Sequence, residues 1–337
     1  MKRIICITLI FALSISAAFA SGSGDNGSRN KITIYTSMYQ EVIDAVQEQL
    51  RNDFPRYHIE FVYGGSGRLE HKVATEKAAG RLGCDILMTA EPSYSLELKK
   101  MGLLHSYLSK EAFNLAFEYD REGYWYPVRI LNMVLAYNPD RTPKNTIPNS
   151  FYDFAHDTRV RGALSMRNPN ISGTTMAALT ALRDKYGYEY FDALGRQNVQ
   201  IDYGSAGVIQ KLQSGEYKVA MILEESILQS RQHGSKLEVI YPTDGTVMIP
   251  STIMIVNKKW SANKNIKIAE QITDWFLSEK GQDAIVAGWM HSVRTDFNKI
   301  PYDSIPTSEI RGKSIAVNWE YDSNQREQIL NRIEDRR

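Results

Sequence analysis

The sequence predicts an α/β protein of two lobes joined by a hinge. Three observations carry that expectation. Strands and helices alternate from residue 31 onward, and two long extended runs stand far apart in the chain. The chain also has 337 residues, more than one typical domain of about 100–200.

The N-terminus comes first. Lys2 and Arg3 precede an uncharged, mostly apolar stretch from Ile4 to Ala20 that closes on Ala18-Phe19-Ala20. A basic start, an apolar run and small residues before the cut make residues 1–20 a secretory signal peptide. The run is short for a membrane span. Cys6 lies inside it, too early to serve as a lipoprotein cysteine. Residues 21–30, SGSGDNGSRN, read as a flexible leader. Cleavage takes Lys2 and Arg3 away and moves the formal charge from +1 to −1. That balance makes no case for nucleic acid or an anionic membrane as partner. Cys84 is the one cysteine left, which excludes an intramolecular disulfide and argues against a cysteine-ligated metal. The expected product is soluble and periplasmic.

The mature fold opens with KITIYTS (residues 31–37), a strand with Ile32 and Ile34 on one face. The helix after it carries Val42, Ile43, Val46, Leu50 and Phe54 at helical spacing and stops at Pro55; Ser37 with Gln40 is its expected capping box. YHIEFVYGGSG is the next strand, with a glycine turn into RLEHKVATEKAAG, followed by the strand CDILMTA and a helix closed by Gly102. This βαβαβα order predicts a parallel sheet covered by helices. The extended runs are Trp125–Pro139 and Thr246–Trp260. Between them lies a second α/β set: a helix after Ser172, a strand near Val199–Tyr203, a helix around Val208–Gln213 and the strand YKVAMILEE. Lobe 1 is therefore expected at residues 31–130 plus about 252–300, and lobe 2 at 131–251. Residues 301–337 pack on the lobes and end in a surface helix. Ligands of open α/β sheets sit at the carboxyl ends of the strands.

The stretch NPNISGTT (168–175) stands where such a ligand would be met. Ser172 caps a helix there, and the same first turn offers free N–H groups and the positive end of a helix dipole to an anion. Catalytic and nucleotide motifs do not compete for these positions. Gly64-Gly65-Ser66-Gly67 lacks the Gly-Lys-Ser/Thr end of a P-loop and the third glycine of a dinucleotide fingerprint. Gly65-Ser66-Gly67 lacks the Gly-x-Ser-x-Gly spacing of a nucleophile elbow, and the six histidines show no ligand pattern, His71 being a solvated residue on a helix. The sequence is read as that of a binding protein, not an enzyme.

The order of IYTSMYQEVIDAV, YGGSGRL, CDILMTAEPSYSLELKKMGLL, NPNISGTT and ITDWFLSEKGQDAIV resembles that of solute-binding proteins of ABC importers, in the branch holding the ferric-ion-binding and hexose-phosphate-binding proteins. The resemblance runs from about Lys31 to Arg294. It implies a type II periplasmic-binding-protein fold with mixed sheets, and a permease partner in the inner membrane driven by its ATPase. Ferric binders of this branch supply a histidine-like donor after the first strand and a late pair of tyrosines. Here Ser37-Met38-Tyr39 and Glu224-Glu225 stand instead, so iron is the alternative ligand, with Tyr39 its first suspect donor. The hexose-phosphate type fits better and implies that Ser37, Asp202 and Glu225 hold the solute. Helix starts at Ser37, Ser66-Gly67 and Ser172-Gly173-Thr174-Thr175 would take its phosphate, with Arg129 as a charge partner. A phosphonate or other organic anion is a further alternative. Glu224 is expected to be structural. No cofactor is expected, and no metal in the phosphate reading.

Overall fold

The computed structural model describes residues 30–90, 92–320 and 323–334; the expected signal peptide and nearly all of the leader lie outside them. Strand β1 (Lys31–Thr36) lies between β2 (His58–Tyr63) and β3 (Ile86–Ala90), parallel to both, with Ile34 opposite Phe61 on one side and Ile86 on the other. Helix α1 (Gln40–Asp53) makes the first crossover because Val42, Ile43, Val46 and Leu50 form one apolar stripe, and that stripe is buried. Helices α2 (Ser66–Ala78) and α3 (Ser93–Lys100) follow β2 and β3.

The two extended runs become β4 (Tyr126–Tyr137) and β9 (Val247–Ile255), both buried along their whole length. They pair antiparallel, from Tyr126 opposite Ile253 to Met133 opposite Val247, with a register shift between Pro127 and Arg129. Beyond Met133 strand β4 also pairs with β7 (Val219–Leu223) and then β8 (Glu238–Ile240). Parallel to β7 lie β5 (Leu164–Arg167) and β6 (Gln200–Asp202). The result is one nine-stranded sheet in the order β2-β1-β3-β9-β4-β7-β5-β6, with β8 on β4. The connections between the lobes are thus the middle strands of a sheet that runs through both. A hydrophobic cluster is shared in the same way, with Ile34 and Val46 from the first lobe, Leu131 from β4, and Leu164 and Leu179 from the second.

The second lobe is covered by α4 (Phe151–His156), α5 (Gly173–Tyr186), α6 (Glu189–Arg196), α7 (Ser205–Ser214) and α8 (Glu224–Gln232). The ITDWFLSEKGQDAIV stretch forms two helices, α9 (Ile266–Leu277) and α10 (Glu279–Ala287), parted at Ser278, whose hydroxyl accepts from the Gly281 N–H at 3.3 Å. After the short α11 (Thr307–Gly312), α12 (Ser323–Glu334) is more than a surface helix: Ile329 and Ile333 are buried, and Arg332 pairs with Asp192 of α6 at 3.0 Å. Among the described residues no helix is long and apolar enough to cross a membrane.

Candidate functional site

The loops that leave β1, β2, β3, β5 and β7 at their carboxyl ends converge on one cavity of about 40 Å³. Its wall includes Ser37 and Tyr39, Tyr63 with Gly65 and Ser66, Ala90, Arg167, Ile171 to Thr174, and Leu223 with Glu225; Arg129 and Leu131 of β4 supply the remainder. An outer chamber of about 370 Å³ shares Tyr39, Tyr63, Gly65, Arg167 and Ile171 with it, and adds Arg68, Tyr203, Ser205 and Gln229. Sheet topology explains the convergence: the strand order reverses across β9 and β4, so the helix starts of the two lobes face one another.

Arg129 is the most constrained group. It is 1% exposed; Nη2 donates to the Ser37 hydroxyl at 3.0 Å, Nη1 meets the Met290 sulfur at 2.9 Å, and Nε has no partner. Burial pulls its pKa down to about 10, against the opposing pull of Glu225 and Tyr39. Glu225, 2% exposed, shares the wall. Burial pushes its carboxyl up to about 7, although Arg129 and Arg167 favour the charged form through space. Arg167, at the end of β5, also has an Nε without a partner. A buried N–H left unmet costs about 1–3 kcal/mol, so two guanidiniums in this condition favour an acceptor in the cavity.

Helix starts add to that field. α2 has no side-chain cap: its N-cap is Gly65, and the Ser66 hydroxyl instead accepts from the Ala90 N–H at 3.0 Å. α5 is capped as expected, Ser172 Oγ accepting from the Thr175 N–H at 3.3 Å and meeting the hydroxyls of Thr174 and Thr175 at 3.1 and 2.9 Å. The capping box at Ser37 and Gln40 does not form. α1 begins after Tyr39 with no side-chain cap, so Ser37 lies two positions ahead of the N-cap, where its hydroxyl accepts from Arg129. Helix N-termini and two guanidiniums against one carboxylate give this wall a surplus of donors and of positive charge.

Of the expected site residues, Ser37, Ser66, Arg129, Ser172, Gly173, Thr174 and Glu225 line the cavity. Thr175 sits behind Ser172 in the capping network. Gly67 faces the other lobe: a Cβ there would lie 3.3 Å from the Ile171 carbonyl oxygen, and one on Gly173 would lie 3.3 Å from the Ser66 Cβ. Asp202 stands apart from the others. It is outside both chambers, with one oxygen accepting from Ser165 at 2.8 Å and the other from Lys211 at 3.2 Å, so its carboxylate is spent inside its own lobe. Arg167, Tyr63 and Ile171 were not foreseen. The carboxyl-end rule could have found Arg167 and Tyr63, which end β5 and β2.

The lobes touch across the cleft. Tyr39 and Ser226 share a hydrogen bond of 2.8 Å, and Gln229 donates to Glu41 at 2.5 Å. Glu224, turned from the cavity, is structural as expected. Asn132 and His291 meet one oxygen at 2.8 and 3.0 Å; Tyr241 and Ser304 each donate to the other at 2.5 Å. Burial opposes its charge, but these bonds outweigh burial and hold its carboxyl below the usual carboxylate range. A larger cavity of about 490 Å³ lies between α2 and α3 under Trp260, and no expected site residue lines it.

Comparison with known proteins gives one family model, described as bacterial extracellular solute-binding protein, over residues 84–306. No curated protein matches the sequence. Among solved structures, the periplasmic binding protein AfuA from Actinobacillus pleuropneumoniae, with exogenous fructose 6-phosphate bound, is 20% identical over 91% of this chain and 98% of its own, with a TM-score of 0.77. Iron-bound HitA from Pseudomonas aeruginosa is 19% identical over 91% and 99%, with a TM-score of 0.76. A ferric binding protein from Campylobacter jejuni is 17% identical over 90% and 96%, with a TM-score of 0.68. At these identities the likeness is one of fold.

Proposed function

This chain belongs to the bacterial extracellular solute-binding proteins, and from that premise we propose that it captures an anionic small solute, a hexose phosphate, between its lobes. The family works outside the cytoplasm, and its members have a small molecule and an ABC permease as partners. The observation that carries the anion is the pairing of Arg129 and Arg167, each with an unmet N–H, beside the uncapped start of α2. The phosphoryl group takes the inner cavity, and the sugar extends into the chamber rimmed by Tyr63 and Tyr203, which are 52% and 78% exposed. That AfuA holds fructose 6-phosphate on the same fold supports the choice. Two guanidiniums oppose Fe(III), although Tyr39, Tyr63 and Glu225 would be its donors.

The lobes in this reading are residues 31–130 with about 252–300, and 131–251, dividing within the β4–β9 pair. A solute that touches both stabilises the closed form, which is the form presented to the permease. Titration calorimetry with fructose 6-phosphate is expected to give saturable one-to-one binding, weakened about tenfold or more in Arg167→Gln because a charge-assisted hydrogen bond is removed. Heat from ferric citrate alone, with a visible charge-transfer band, would overturn the reading in favour of iron.

A further inference from the structure

We propose that Glu225 carries a proton in the solute complex and donates it to the anion, so that the site selects the fully ionised solute and takes up one proton from water on binding. The inference rests on the anion reading above and concerns how that anion is held. Glu225 is the one acidic residue among the described residues that line the inner cavity. An ionised carboxylate can only accept hydrogen bonds, and so can the oxygens of a phosphate dianion. Side by side in the same inner cavity, the two like charges repel. A proton on Glu225 turns that repulsion into an O–H···O⁻ bond, the short and strong kind.

The surroundings permit this. Arg129 from β4, Arg167 from β5, Tyr39 from the loop before α1 and Tyr63 at the end of β2 are the charged and titratable groups on the wall it shares. Glu224 on the same helix is held ionised by its own four partners and adds only like-charge repulsion. From α7 and β7 the nearest wall residues, Ser205 and Leu223, carry no charge. Arg129 and Arg167 act on Glu225 through space, so no arginine bond has to break when the carboxylate takes its proton. Burial already holds the carboxyl near 7. A dianion placed beside it raises it further, because a like charge disfavours ionisation. The proton comes from solvent, stays covalently on Glu225 and bridges to the solute; no bond of the solute changes. Above pH 7 affinity then falls by up to about tenfold per pH unit.

The test is calorimetric titration of the purified protein with fructose 6-phosphate at pH 8 in Hepes and in Tris, whose ionisation heats differ. At that pH the solute, with a second phosphate pKa of about 6, is already a dianion. The wild type is expected to take up close to one proton per solute. Glu225→Gln should still bind, through its amide N–H, with no proton uptake. Heats that do not depend on buffer in the wild type, with binding intact, overturn the proposal and leave the anion reading standing. No binding in either buffer overturns both. Should the variant fail to fold, the wild type at pH 6 decides: uptake well below half a proton supports the proposal, and uptake equal to that at pH 8 overturns it.

Discussion

Burial costs Glu224 and Glu225 alike, but only at Glu224 do hydrogen bonds outweigh it. Glu224 has four hydrogen-bond partners, whereas Glu225 has charges near it and no side-chain donor among the causes that shift it. The sign of the pH dependence follows. A carboxyl raised from 4.5 to about 7 by burial stabilises the fold fully below pH 4.5 and loses that stability as pH rises through 7. At pH 8 the solute-free protein therefore carries a deficit on the order of 3 kcal/mol. Glu225→Gln is expected to raise its melting temperature at pH 8 and to leave it unchanged at pH 4, read by circular dichroism. An equal shift at both values would mean a packing effect and not a charge. The sequence singled out Glu225, since a carboxylate that follows a buried strand needs a purpose. It could not show that Arg167 ends on the cavity wall or that Asp202 lies off it. Asp202 is taken by Ser165 and Lys211, and only the folded chain brings Ser165 to it.

At the level of elements, the starts of α2 and α5 come from different lobes and meet through glycines. A Cβ on Gly67 would press on the carbonyl oxygen of Ile171, which is backbone and cannot swing aside. Gly67→Ala is expected to weaken fructose 6-phosphate binding about tenfold, because the added methyl obstructs only the closed approach of the two lobes. The solute-free melting temperature should be kept or slightly raised, since alanine is the better helix residue by up to about 1 kcal/mol. Calorimetry beside a thermal melt separates the two, and unchanged affinity would show that this approach does not set closure. The helix starts themselves were legible: NPNIS announced the Ser172 cap, and the cap is there. The box at Ser37 and Gln40 misled because the helix starts later than the pattern suggests, with Tyr39 as its N-cap, while the Ser37 hydroxyl meets Arg129 from 92 positions away.

On the scale of the whole molecule, the alternation of strands and helices sufficed for the fold class, and the two extended runs marked the hinge. What they concealed was that hinge and sheet are the same object. Solute bridging the lobes binds only the folded chain, so about a hundredfold excess over its dissociation constant adds about 2.7 kcal/mol. For a chain of this size that is a rise of roughly 5 °C in melting temperature. Scanning calorimetry with fructose 6-phosphate should show it and ferric citrate should not; the reverse would favour the metal. The β4–β9 pair has one more consequence, which concerns time. Its register sets Tyr126 opposite Ile253, and the cavity wall gathers residues from Ser37 to Glu225. No local fragment can form either, and pairings this distant in sequence close late and slowly. The receptor therefore comes into being at the end of folding, and a nascent chain has an extended interval in which it is still a flexible polypeptide without a binding site.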